Sequence, residues 1–241
     1  MDKSKKALFA SLALAAFTGL SNAQAAPDAQ VYVIHAIPGQ DLGLAPDLPV
    51  DVSVDGACAL PGFTFGEIVG PISFPEGTSN ITISLADADA PCSEAPVISV
   101  AVPFTAGETA TIIAHLDANG APTASKFVND LSPAATGDSR ILLHHTAAAP
   151  AVDLRLLQRR QISGPRFAAK VPGAVNGDQA VVDVPADLYQ VGVLLAGTET
   201  VVLGPAEGFL GAGQATLVYV VGSASSGSLT IIVQRLPLST N

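Results

Sequence analysis

The chain repeats itself once, and the repeat constrains its fold more than any other feature. Four segments of the first half return in the same order in the second. Val31-Tyr-Val-Ile-His35 lines up with Arg140-Ile-Leu-Leu-His144, and Leu48-Pro-Val-Asp51-Val-Ser-Val54 with Pro150-Ala-Val-Asp153-Leu-Arg-Leu156. The segment from Phe74 to Ala86 matches Val184 to Ala196, and Thr105 to Ile113 matches Leu210 to Val218. The spacing from His to Asp is 16 residues in the first copy and nine in the second, so about seven extra residues are expected as a loop within Gly39–Asp47.

Each copy reads as all-β. Short runs rich in Val, Ile, Leu and Thr alternate with polar residues and are punctuated by 22 Gly and 18 Pro, with little helical periodicity. Val50, Val52 and Val54 alternate with Asp51, Ser53 and Asp55, which gives a strand one apolar and one wet face. The runs predict strands over 31–36, 50–54, 70–74, 80–86, 96–104, 109–116 and 125–129. In the second copy they fall at 140–145, 151–157, 179–184, 189–195, 200–204, 214–221 and 229–235. Seven strands in each copy match the size of an immunoglobulin-like sandwich. The expected architecture is two tandem immunoglobulin-like β-sandwich domains, residues 26–135 and 136–241, behind a cleaved leader at 1–25.

The leader has a basic start, an apolar run from Ala7 to Leu20 and an Ala23-Gln24-Ala25 cleavage site, the layout of a secretory signal peptide. The run is short for a membrane span, and no later run is apolar enough to cross. The product is expected to be periplasmic or extracellular. Cys58 and Cys92, the two cysteines, are expected to pair in that oxidising setting.

His35-Ala-Ile-Pro38, Val50-Asp-Val-Ser-Val-Asp-Gly56, Phe63-Thr-Phe-Gly66 and Pro75-Glu-Gly77 resemble a bacterial exported family, the domain of unknown function DUF4397. The second copy departs from it, with His144-His-Thr-Ala in place of the first motif and Arg155-Leu-Leu-Gln158 at the end of the second. The resemblance implies secreted or surface β-sandwich modules in tandem. It carries no established reaction and no catalytic residues.

Charge divides the copies. The chain has a net charge of −10. Residues 26–135 hold 13 acidic residues and one basic residue, Lys126, whereas residues 136–241 hold seven of each. An acidic chain is a poor ligand for nucleic acid and for anionic membrane surfaces. Arg155, Arg159, Arg160, Arg166 and Lys170 cluster within 16 positions and mark a candidate docking patch. Its candidate targets are the acidic first domain, in the same chain or head-to-tail in another, or an unknown protein or envelope component.

His35 and His144, placed by the repeat at the end of each first strand, pair with Asp51 and Asp153 as the candidate ligand-binding positions. A His with carboxylates can hold a transition metal. The plainer alternative is that each imidazole fixes the following loop, and no metal or other cofactor is expected. His144 and His145 are neighbours and should face opposite sides of a strand. The acidic loop from Asp87 to Glu94 lacks the spacing of a calcium loop. Nucleophile-elbow, zinc-protease and phosphate-loop motifs are missing, so no catalytic residue is expected. The expected function is a non-enzymatic exported binding or structural module. The alternative is a hydrolase or metal-binding protein with a site near His35 or His144.

Overall fold

The computed structural model describes residues 26–159, 164 and 166–240; the expected leader and Arg160 lie outside them. The first copy forms β1 (Ala29–His35), β2 (Val50–Val54), β3 (Ala57–Phe63), β4 (Ile68–Phe74), β5 (Gly77–Leu85), β6 (Ile98–Phe104), β7 (Thr109–Leu116) and β8 (Pro122–Val128). The second forms β9 (Asp138–His145), β10 (Val152–Gln158), β11 (Arg166–Ala174), β12 (Gln179–Pro185), β13 (Asp187–Leu195), β14 (Val201–Leu210), β15 (Gln214–Val221) and β16 (Thr230–Pro237). Sheets run β4-β1-β7-β8 and β3-β2-β5-β6 in the first copy, and β12-β9-β15-β16 and β11-β10-β13-β14 in the second. Strand for strand, the two orders are the same. β1 runs parallel to β7 and β9 to β15, while the other pairings are antiparallel. The chain is therefore all-β, with two β-sandwiches.

Each sandwich has eight strands rather than the expected seven, and the extra one is the same in both copies. β3 and β11 read Ala-Cys-Ala-Leu-Pro-Gly-Phe and Arg-Phe-Ala-Ala-Lys-Val-Pro-Gly-Ala, with little apolar alternation. They are edge strands with mostly exposed side chains, so the burial that imprints a period of two is missing. Their Pro-Gly pairs sit at breaks in register, where Gly62 and Gly173 adopt φ of 65° and 66°. That left-handed conformation suits glycine and forms a bulge.

Inside each sandwich the cores are matched in position but not in residue. Phe74 and Phe104 stack at 4.4 Å in the first core, beside the small Ser79. In the second, Val184 and Leu210 leave room for Tyr189, which is fully buried and donates its hydroxyl to the Pro185 carbonyl at 2.8 Å. Bulk has moved between neighbouring positions while the interior stays filled. The Cys58–Cys92 disulfide ties β3 to the β5–β6 loop.

The sandwiches meet sheet on sheet. The outer face of β4-β1-β7-β8 packs on that of β12-β9-β15-β16 through Ile34, Ile113 and Phe127 on one side and Leu142, Leu217, Tyr219 and Leu236 on the other. These are equivalent sheets of the two copies. Of the basic cluster, Arg155 lies on β10 and Arg166 and Lys170 on β11, in the sheet on the far side of the second sandwich. The two domains of one chain thus join through apolar faces, and not through the expected docking of basic residues on the acidic domain. Hydrogen bonds thread the contact: Tyr219 Oη lies 3.0 Å from Thr111 Oγ1, which also accepts from Asn129 Nδ2 at 2.9 Å. Arg140 holds the linker, with Asp183 gripped at 2.8 Å by two guanidinium nitrogens and Asp130 at 2.9 Å by the third.

The extra residues of the first copy have a structural task. They form a 3₁₀ turn, Gly39–Leu42, that carries Asp41 across to the β15–β16 loop. There Asp41 accepts hydrogen bonds from Ser226 Oγ and, at 2.7 Å, from Ser228 Oγ. Gly39 permits the turn: a Cβ there would meet the Ala45 carbonyl oxygen at 1.7 Å. Asp41→Ala should weaken the coupling of the two sandwiches by about 1–2 kcal/mol. The expected readout is a lower melting temperature and faster proteolysis of the 130–137 linker.

His144 is enclosed in this contact. Its ring stacks on Tyr219 at 4.5 Å and meets the Phe127 edge at 4.8 Å, and neither ring nitrogen has a hydrogen-bond partner. Burial lowers its pKa to about 3, against the opposing pull of the Val218 carbonyl. Burial likewise lowers His35, His115 and His145. The unfolded chain takes up protons on these rings near pH 6.5, while the folded chain does not until lower pH. Between those limits the unfolded state binds more protons, so stability rises with pH and is lost on acidification from about 6.5 downward. His144 alone should account for a loss on the order of 3 kcal/mol by pH 4. Melting curves across pH 4–8 should show the slope, and His144→Phe, which keeps the stack and cannot titrate, should remove its share and leave the part due to His35, His115 and His145.

Candidate functional site

The expected His–Asp pairs occur in both copies, but the structure shifts one of them. His35 Nδ1 accepts from the Ile37 N–H at 3.3 Å, so Nε2 carries the proton and donates to the Leu48 carbonyl at 2.8 Å. The second copy reproduces this arrangement at His145: Nδ1 accepts from the Ala147 N–H at 3.3 Å and Nε2 donates to the Pro150 carbonyl at 3.1 Å. Flanking backbone bonds agree, with Gly66 to His35 matched by Gly177 to His145. The equivalent of His35 is therefore His145, and His144 faces the other sandwich instead. The sequence alignment is one residue out because both positions are histidine.

These imidazoles fix the loops between the first and second strands of each sandwich. Each ring is buried and uses both nitrogens on main-chain groups, one two residues away and the other 13 residues away for His35 and five for His145. His35 also packs near Phe63 and Phe65, with ring centres 6.0 and 6.4 Å apart. Burial pushes both histidines down, opposed by the carbonyls they donate to and by Glu67 and Asp178.

The two carboxylates are equally committed. Asp51 Oδ1 accepts from the Gly62 N–H at 2.8 Å, and Oδ2 from Cys92 at 2.7 Å and Asp87 at 3.3 Å. Burial alone would raise the Asp51 pKa; these three N–H donors outweigh it and hold the group ionised below the ordinary carboxylate value. Asp153 repeats the plan, with Gly173 N–H at 2.7 Å and Gly197 N–H at 2.9 Å, and adds the Lys170 ammonium at 2.8 Å. Its pKa is lowered by Lys170, Gly173 and Gly197 against burial. Each Asp thus pins the Pro-Gly bulge of the neighbouring edge strand to the loop that follows the fifth strand of its copy. Among the described residues, no group of three or more His, Cys, Asp or Glu side chains is placed to hold a metal ion.

The basic cluster is largely paired within its own sandwich. Arg155 bonds Glu199, Arg159 reaches Glu207 at 3.2 Å, and Lys170 reaches Asp153. Arg166 is exposed on β11, and Arg160 lies outside the described residues. Seen as a surface, this is a mixed-charge face rather than a basic one.

A concave site missed at the level of sequence lies where loops of the two sandwiches converge. Ala118, Asn119 and Gly120 of the β7–β8 turn, Ala148 to Pro150 of the β9–β10 loop and Ser223 to Ser225 of the β15–β16 loop line an open cleft of about 420 Å³. Small side chains keep it open and leave backbone groups and hydroxyls on its walls. His145 shapes one wall through its bond to Pro150, and the Asp41 clasp steadies the serine loop beside it. The sequence signal was faint: runs of Ala, Gly and Ser in three separate loops, which only the fold brings together.

A crystal structure of a candidate cell adhesion protein from Bacteroides ovatus aligns over 90% of this chain and 100% of its own, at 13% identity and a TM-score of 0.28. The Bacillus anthracis TIE protein aligns over 88% of this chain and 44% of its own, at 10% identity and a TM-score of 0.26. At such scores neither likeness bears on function. No curated protein matches the chain in sequence. One family model does match, over residues 29–155, which takes in the first sandwich and the opening strands of the second. The second sandwich is related to the first by its strand order and its His145 and Asp153 contacts, and not by a family match of its own. The matched segment covers more than half of the chain, and the chain belongs to the family of the domain of unknown function DUF4397.

Proposed function

We propose that the chain is an exported, non-enzymatic binding module, made of tandem domains at residues 26–135 and 136–241, that engages a protein or other envelope component through the loop cleft at the domain junction. Export is supported by the secretory layout of residues 1–25 and by the Cys58–Cys92 disulfide, which suits an oxidising compartment. No helix among the described residues is long and apolar enough to cross a membrane.

The observation that carries the proposal is the use of the acid–base groups. His35, His145, Asp51 and Asp153 spend their polar atoms on main-chain partners, and His144 is enclosed between the sandwiches. A group locked in this way holds loops in place and has no lone pair directed at a substrate. The rigid frame it produces presents the junction loops, and loops on a rigid scaffold are where binding surfaces concentrate. Lined mostly by small apolar residues, with Asn119, Ser223 and Ser225 among them, the cleft suits an extended segment of a partner with small side chains more than a large aromatic ligand. The alternative of a hydrolase or metal site near His35 or His144 has no support from these contacts.

A photo-crosslinker placed at Ser225 of the mature protein should capture a partner from native envelope, and one placed at Glu76 should not. Ala118→Arg, at an exposed position of the cleft wall, should abolish capture at an unchanged melting temperature. Robust turnover by the purified protein in a broad hydrolase screen would overturn the proposal.

A further inference from the structure

The two sandwiches close one edge differently. In the first, edge strands β6 and β8 touch, and Lys126 clasps them: its ammonium donates to the Pro103 carbonyl and to Glu108 Oε1, both at 2.6 Å, and lies 5.5 Å from the centre of the Phe104 ring. Pairing registers identify the matching residues of the second sandwich. Lys126 faces Ile112 and Val233 faces Val218; Pro103 faces Thr78 and Phe209 faces Leu188. Val233 and Phe209 therefore stand where Lys126 and Pro103 stand in the first copy. Among the described residues no side-chain bond joins β14 to β16. Phe209 is 63% exposed and Val233 44% exposed.

Phe209 belongs to an exposed apolar surface on the outer sheet of the second sandwich. Leu188 pairs with Phe209, and Phe167, 60% exposed, stands on the same sheet beside Leu157. Phe209 and Phe167 are the two most exposed of the large apolar side chains among the described residues, and both stand on this one sheet, which marks an interaction surface. Arg159 and Glu207, a half-exposed pair at 3.2 Å, sit among them. The face carries both signs of charge close together, which is self-complementary under a two-fold axis.

We propose that this face, the outer surface of the β11-β10-β13-β14 sheet, is a homodimer interface that meets the same face of a second copy of the chain. Net charge selects the occupant. The first sandwich, with 13 acidic residues and one basic, repels its own kind, whereas the second, with seven of each, meets itself without that cost. Being neutral, the second sandwich also offers the acidic one little net attraction, which disfavours the head-to-tail arrangement expected from the basic cluster. Sheet-on-sheet stacking already joins the two sandwiches within a chain, and the dimer extends that stack with the acidic domains outermost. Pro205 removes an N–H from edge strand β14, so the contact is made by side chains on the sheet face rather than by strand addition. The dimer goes beyond the binding proposal and stands or falls apart from it.

Sedimentation velocity on residues 26–241 tests it. The expected result is a concentration-dependent monomer–dimer equilibrium. Phe209→Ser, or separately Phe167→Ser, each removing an exposed ring from this face, should raise the dissociation constant about tenfold or more at unchanged melting temperature. Arg159→Glu and Glu207→Arg should each weaken the dimer, and an equimolar mixture of these two variants should regain it as a heterodimer. That rescue separates an intermolecular contact from the pair within one chain, which stays broken in both variants. A monomer at all concentrations up to about 1 mM overturns the proposal. So does a dimer indifferent to Phe209→Ser, and so does a monomer whose Phe209 is instead crosslinked by another protein.

Discussion

The apolar contact between equivalent sheets is the constraint on which the rest depends. Each sandwich alone would carry a sheet whose outer face holds Ile34, Ile113 and Phe127, or Leu142, Leu217 and Tyr219. Such a face is stable in water only when covered. Covering it with its counterpart makes one body of two copies and leaves their other sheets outermost. It also explains why neighbouring histidines have unlike environments. His145 points into its own sandwich and bonds a loop, while His144 points out and is sealed under the other copy without a partner. An unpartnered ring there is tolerated because it stacks on Tyr219 and stays neutral.

A second constraint is local and occurs twice. An edge strand must break its ladder to admit Pro-Gly, and the freed N–H of the glycine then needs an acceptor. Asp51 and Asp153 supply it from the neighbouring strand, and each spends its second oxygen on the loop beyond. A conspicuous carboxylate in an alternating strand therefore serves backbone satisfaction and not chemistry. In the first copy the same loop is tied to β3 by the disulfide, and in the second the Lys170 ammonium on β11 takes part at Asp153. Two unlike bonds hold comparable junctions.

Much of this was legible in the chain, and the gaps have physical causes. Three strands, β2, β7 and β15, coincide with their predicted ranges, because each has a buried face that imposes a period of two or a continuous apolar run. β3 and β11 left no such imprint, since little of either is buried. The disulfide follows from two cysteines behind a leader of secretory layout, and it is present. The positions of Asp51 and Asp153 were visible in the repeat, but their partners are main-chain N–H groups, which no side-chain pattern encodes. His145 was passed over because a histidine on either side of a one-residue slip satisfies the same alignment. The basic cluster was visible as charge, but its acidic partners Glu199 and Glu207 come from β13–β14 and meet it only in the folded sheet.

Once two copies are joined by like faces, their remaining surfaces are free to diverge, and here they do so in charge and in edge chemistry. The first copy gathers the acidic residues and closes its open edge with one lysine that satisfies a carbonyl, a carboxylate and an aromatic ring at once. The second balances its charges in pairs and leaves the same edge apolar. A net charge concentrated in one half keeps that end soluble and apart from its equals, while the balanced half is the end at which contact costs least. The asymmetry between two copies of one fold therefore carries more about what the molecule meets than either copy's fold does.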